Sequence, residues 1–276
     1  MTGDSESAPL EMRNVAPWVE GLARLGYAAK ALLYITVGIL AAQAAFGMGG
    51  RTTDTQGALL LVHDMTFGRI MLLMAAAGLI GYAIWRVVEA VVDPDGRGTG
   101  PKGLALRVSF AARGLLHGAL GIAALRLASS ERASASPDRA RSWTAVALDL
   151  PAGELLVWLG AAAVAAYGIY QLYRSYATKL GRQLELSRLP PQTYAWVVGV
   201  SRFGIAARGI VFCLIGWFVA RAAAQHDAGE VGGIRESLAL LASFGQWPFA
   251  VVALGLIAYG VYELVNAWYR RIRVEA

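Results

Sequence analysis

Three cations stand at equivalent places inside three apolar runs: Lys30, Arg113 and Arg208. Each follows another arginine by six residues, in Arg24-Leu-Gly-Tyr-Ala-Ala-Lys30, Arg107-Val-Ser-Phe-Ala-Ala-Arg113 and Arg202-Phe-Gly-Ile-Ala-Ala-Arg208. At ~1.5 Å of rise per helical residue, the second cation lies about 9 Å deeper than the first. A charge at that depth in a bilayer needs a partner, a cavity or a reach back to lipid phosphate. Two chemistries follow. Glu89 and Glu263 lie at similar depth on other runs, so ion pairs are available, and the spacing predicts Lys30 with Glu89 and Arg208 with Glu263. Arg113 has Gln171 and Arg174 at its matched positions instead of an acid. If the three cations converge, they form a site for an anion: a lipid headgroup or a solute carboxylate.

Nothing else in the chain has spacing suited to catalysis. His117 stands one turn beyond Arg113, but His63 and His226 fall in loops on the far side, so a packed histidine is expected rather than a haem or metal ligand. Cys213, the single cysteine, sits in an apolar run and excludes an intramolecular disulfide. Gly-x-Ser-x-Gly, His-Glu-x-x-His and Gly-Lys-Ser/Thr patterns do not occur. Gly96, Gly98 and Gly100 follow no strand and read as linker. The expectation is no catalytic residue, no cofactor and no metal, hence no enzyme.

The elements that carry these residues follow from composition. The chain has 276 residues, 57% of them hydrophobic and 16% charged, with mean hydropathy +0.48. A soluble domain has about 45–50% apolar and about 25% charged residues. The excess is gathered into six runs, 25–46, 68–92, 104–128, 153–176, 202–224 and 247–269. Each reaches the ~20 residues a spanning helix needs, and none alternates as a barrel strand would. The formal charge of +6 fits loop anchors meeting anionic lipid better than nucleic-acid binding.

The runs repeat in pairs. Gly68, Gly153 and Gly245 each precede a tyrosine by fourteen residues (Tyr82, Tyr167, Tyr259), and a second aromatic follows three later, Trp85, Tyr170 or Tyr262. The next position holds Arg86, Gln171 or Glu263. The fold class is therefore an all-α membrane bundle of six transmembrane helices in three tandem hairpins, related by a pseudo-threefold axis along the membrane normal. The expected divisions are a polar tail over 1–17, hairpins over 18–93, 103–177 and 194–276, and linkers over 94–102 and 178–193. Apolar patches at 58–62, 143–150 and 238–241 predict short amphipathic helices at the interface between the spans of each hairpin. The small residues Gly114, Gly118 and Gly121 predict close packing within the chain.

Each unit opens Arg-x-x-x-Ala-Ala-Lys/Arg and closes with Gly81-Tyr82, Tyr167-Gly168 or Tyr259-Gly260. This pattern resembles the bacterial membrane family called domain of unknown function 1206, over nearly the whole chain. The resemblance implies the topology and a bacterial plasma membrane, and no reaction. The chain departs from a strict repeat at Lys30-Ala31, where the other copies have Arg-Gly, and at His117, where they have Tyr34 and Phe212. Thirteen Lys and Arg lie on the side of the termini against eight on the other, which places both termini in the cytoplasm.

The functional expectation is a scaffold or accessory protein whose cytoplasmic-side cations bind anionic lipid or a small anion. Its partners are then membrane lipids or another membrane protein, with no nucleic acid. The alternative is a transporter or channel for a small solute or ion along the axis.

Overall fold

Six long apolar helices dominate the computed structural model, which describes residues 17–63, 68–93, 98–129, 139–177 and 190–269. They are α1 (Pro17–Ala45), α3 (Gly68–Val91), α4 (Pro101–Ser129), α6 (Gly153–Ala177), α7 (Pro191–Gln225) and α9 (Gln246–Tyr269). Between them lie α2 (Thr55–His63), α5 (Arg139–Leu148), a 3-10 turn (Ala228–Glu230) and α8 (Ile234–Ser243). Every regular element among the described residues is helical, and all six long helices can cross a membrane by length and composition. Of the expected tail over 1–17, residues 1–16 lie outside the described residues and Pro17 begins α1; 94–97 and 178–189 of the expected linkers lie outside them too.

The spans begin and end close to the hydropathy limits, except that α1 starts eight residues before its run and α7 earlier still. Helix α7 starts eleven residues before its apolar run, because Pro191 occupies its first turn. Proline is at ease there, since its missing N–H is one that no helix start could satisfy. The added turns carry exposed Tyr194 and Trp196.

The helices pack in a row around the bundle: α4 on α3, α3 on α1, α1 on α9, α9 on α7, and α7 on α6. Glycines let the partners from different hairpins approach closely. A Cβ on Gly121 of α4 would lie 2.8 Å from Ile80 of α3, and one on Gly38 of α1 would lie 2.7 Å from Ile257 of α9. Gly216 of α7 meets Ala165 of α6 at 2.8 Å in the same way. The stripe of Gly114, Gly118 and Gly121 thus packs inside the chain, on α3. Helices α4 and α6, the two spans of the middle hairpin, make no extensive backbone approach, although Arg113 of α4 lies 5.2 Å from the Tyr167 ring of α6.

The short helices differ from expectation in what they cover. Ala58, Leu59 and Val62 of α2 and Leu238 of α8 are buried in the main core rather than turned to the interface. They belong to the same apolar core as Leu33, Val37, Leu72, Leu79 and Leu256 of the long helices. Helix α2 packs on α1, α3 and α4, and α8 on α7 and α9, so protein rather than lipid takes their apolar faces.

Candidate functional site

At the opposite end of that apolar core the same helices enclose a cavity of about 150 Å³. One water needs only ~10–15 Å³ of such space. Lys30, Arg113 and Arg208 all line it, so the three repeated cations do come together. Arg86 and Arg174 line it as well, against two carboxylates, Glu89 and Glu263. Among the described lining residues, five cations face two carboxylates.

The ion pairs differ from the spacing's expectation. Lys30 Nζ is 2.7 Å from Glu263 Oε1, while Glu89 Oε2 accepts from Arg86 Nη1 at 2.5 Å, one turn away on its own helix. The reason is the packing order: α1 lies on α9, so Lys30 meets the acid of the third hairpin. Glu263 also accepts from the Tyr259 hydroxyl. Arg208 finds tyrosines instead of an acid, donating from Nε to the Tyr34 hydroxyl at 3.1 Å and from Nη1 to that of Tyr167 at 3.0 Å.

Cations and rings alternate around the cavity. The Lys30 ammonium is 4.8 Å from the Tyr82 ring centre, and the Arg86 guanidinium 4.9 Å from the same ring. Arg86 lies 5.2 Å from Phe110, and Arg113 lies 5.8 Å from Phe110 and 5.2 Å from Tyr167. Arg208 lies 5.7 Å from Tyr167 and 4.8 Å from Tyr259, which leads through Glu263 back to Lys30. Each such contact is worth ~0.5–1 kcal/mol when exposed and ~2 kcal/mol or more when desolvated, enough to hold a cation in place without neutralising it. The tyrosines repeated along α3, α6 and α9 are therefore what positions the charges. The spacing put aromatics near the ring; it carried no signal that they take the place of acids.

Arg113 stands apart from the others. Its guanidinium lines the cavity, yet makes no hydrogen bond or ion pair with any described residue. His117, one turn on, also lines the cavity; its Nδ1 donates to the Arg113 carbonyl at 2.8 Å and its ring lies tilted at 58° to that of Tyr82, 4.8 Å away. A carbonyl can only accept, so Nδ1 carries the proton. The histidine is packed and hydrogen-bonded, as expected. Gln171 is buried away from the cavity lining, with no hydrogen-bond partner among the described residues for its side-chain oxygen or nitrogen.

The outer arginines have a separate task. Arg24 Nη1 donates to the carbonyls of Ala267 and Trp268 at 2.6 and 2.8 Å, and Arg107 to those of Ala90 and Val91 at 2.7 and 3.0 Å. They cap the carbonyl ends of α9 and α3, where a cation is favoured by the unpaired acceptors and the helix dipole. Among the described residues no cluster of three or more His, Cys, Asp or Glu could hold a metal.

Six membrane-spanning helices in three tandem hairpins, gathered around a cationic cavity, define an all-α membrane bundle. The chain belongs to the family described as Domain of Unknown Function (DUF1206), which matches three times, over residues 25–93, 108–177 and 203–270. A Bacillus subtilis (strain 168) relative described as Uncharacterized protein YxxB is 30% identical over 261 residues, covering 94% of each chain. No solved structure matches.

Proposed function

We propose that this protein is a non-enzymatic scaffold or accessory protein of the bacterial plasma membrane, with both termini cytoplasmic, that binds an anion in the cation-lined cavity. The observation that carries the reading is Arg113, a guanidinium with five donors that lines the cavity and bonds to no described residue. Arg208 adds a second cation with tyrosines rather than an acid as partners. Guanidinium groups suit carboxylate and phosphate oxygens in shape as well as charge. A path across the membrane is the weaker reading, because apolar side chains such as Val37, Leu79 and Leu256 fill the bundle beyond the ring.

Inorganic phosphate is a direct probe. Thermal unfolding in detergent, at constant ionic strength, reads its binding as a stability gain of about 2.7 kcal/mol at a hundredfold excess over Kd. Wild type gains stability in phosphate; Arg113→Ala folds with near-normal stability in its absence and loses most of the gain. An equal response in both proteins, or none in either, defeats the proposal.

A further inference from the structure

Each outer hairpin crosses through glycines. A Cβ on Gly26 of α1 would lie 2.5 Å from Tyr82 Cβ and 2.6 Å from the Gly78 carbonyl oxygen, and one on Gly78 of α3 would lie 2.6 Å from the Leu25 carbonyl oxygen. In the third hairpin Gly204 of α7 abuts the Tyr259 backbone, and Gly255 of α9 abuts Ala207. The repeat places Ser109 and Ala163 at these positions in the middle hairpin. Both contribute the Cβ that the other two crossings cannot hold, and α4 and α6 do not close on each other.

What the missing contact uncovers is specific. Leu116 of α4 is 63% exposed, whereas its counterparts Leu33 and Val211 are 2% and 1% exposed. Tyr170 of α6 is 50% exposed, against 8% for Trp85 and 4% for Tyr262. Ala112 on α4 and Gly160, Ala163 and Ala166 on α6 are exposed along the same two faces. Tyr170 and Arg113 belong both to this opening and to the cavity lining, so slot and cavity are continuous. The slot is also short. Beyond it Leu120 packs onto the main core and Val157 is buried again. From residue 160 to residue 170 a helix rises about 15 Å, half of the ~30 Å hydrocarbon core.

We infer that the gap between α4 and α6 is a lateral entry for an anionic phospholipid, its phosphate in the cavity at Arg113 and Arg208 and one acyl chain in the slot. The inference rests on the anion-binding reading of the cavity. Arg113, whose guanidinium bonds to no described residue, and Arg208, held by tyrosines, select an anionic head, and the one-leaflet length of the slot matches an acyl chain rather than a spanning helix. Ala112, Gly160, Ala163 and Ala166 leave room for such a chain because none has a side chain longer than a methyl group.

The test compares two probes on full-length protein in detergent. Native mass spectrometry reads retention of phosphatidylglycerol against phosphatidylcholine with the same chains, and thermal unfolding reads inorganic phosphate. Wild type retains phosphatidylglycerol selectively and is stabilised by phosphate, and Arg113→Ala loses both responses. Ala163→Phe and Gly160→Leu, two substitutions at exposed positions that fill the slot, weaken phosphatidylglycerol retention roughly tenfold, or about 1.4 kcal/mol, and keep the phosphate response. Unchanged lipid retention in both slot variants overturns the entry route while leaving the anion site standing. A wild type that binds neither probe defeats the cavity reading and this inference with it. A lipid-free dimer that becomes a monomer in Ala163→Phe makes a second copy the occupant and overturns the lipid.

Discussion

Replacing Glu263 with glutamine separates stability from binding, because the two should move in opposite directions. Lys30 is 5% exposed and Glu263 2%, with 2.7 Å between Nζ and Oε1. Breaking a buried pair from one side leaves a buried charge uncompensated, at a cost of ~3–5 kcal/mol. The loss should fall near ~3 kcal/mol here, the low end of that range, because Lys30 lines a cavity that water can enter and keeps its contacts with the Tyr82 and Tyr27 rings. The same change removes one of two carboxylates from a site with five cations, so an anion should bind several-fold more tightly. Unfolding in detergent, followed by the fluorescence of the eight tryptophans, reads both: a lower midpoint without phosphate and a larger phosphate-dependent rise. The double variant Lys30→Met/Glu263→Leu should recover most of the lost stability, since an apolar pair of similar volume has no charge to desolvate. A Glu263→Gln protein within ~0.5 kcal/mol of wild type, or a double variant no better than the single, would refute the argument that the pair is buried and mutually dependent.

Two further outcomes follow from local geometry. Gly26→Ala forces a methyl group between α1 and Tyr82, and such overpacking should destabilise the fold by ~1–3 kcal/mol in the same unfolding assay, whereas Ser109→Ala at the equivalent middle position should be near neutral. Outside the spans, burial alone would raise the Glu236 carboxyl, but the Gly233 N–H at 2.8 Å and the adjacent Arg235 hold it below its ordinary 4.5. Arg141 of α5 approaches the same carboxylate at 3.9 Å. The stabilisation of α8 is therefore present above pH 4.5 and lost as pH falls through the lowered folded value. Hydrogen exchange should show α8 amides opening over that acid window in wild type, and Glu236→Gln should abolish the dependence.

Much of the architecture was legible because membrane spans are local in sequence. A run of about twenty apolar residues must satisfy its backbone internally and becomes a helix whatever its neighbours do. The same holds for the repeated cations, whose depth follows from counting residues along one helix. The interface helices were legible as helices but not in their burial, since Leu59 and Leu238 reach the core only because α2 and α8 dock on other spans. The ion pairs were misassigned for a related reason: equal depth on two helices says nothing about which two are adjacent.

The sequence by itself determined six spans, three similar hairpins, and a basic residue at matched depth in each. Tertiary structure alone decided that Lys30 pairs with Glu263, that tyrosines rather than acids hold Arg208, and that the middle hairpin stands open. The first two depend on which helices are adjacent, and the third on how closely the two helices of one hairpin approach. That distance is set by single atoms at the crossing, a hydrogen at Gly26 and Gly204 where Ser109 has a Cβ.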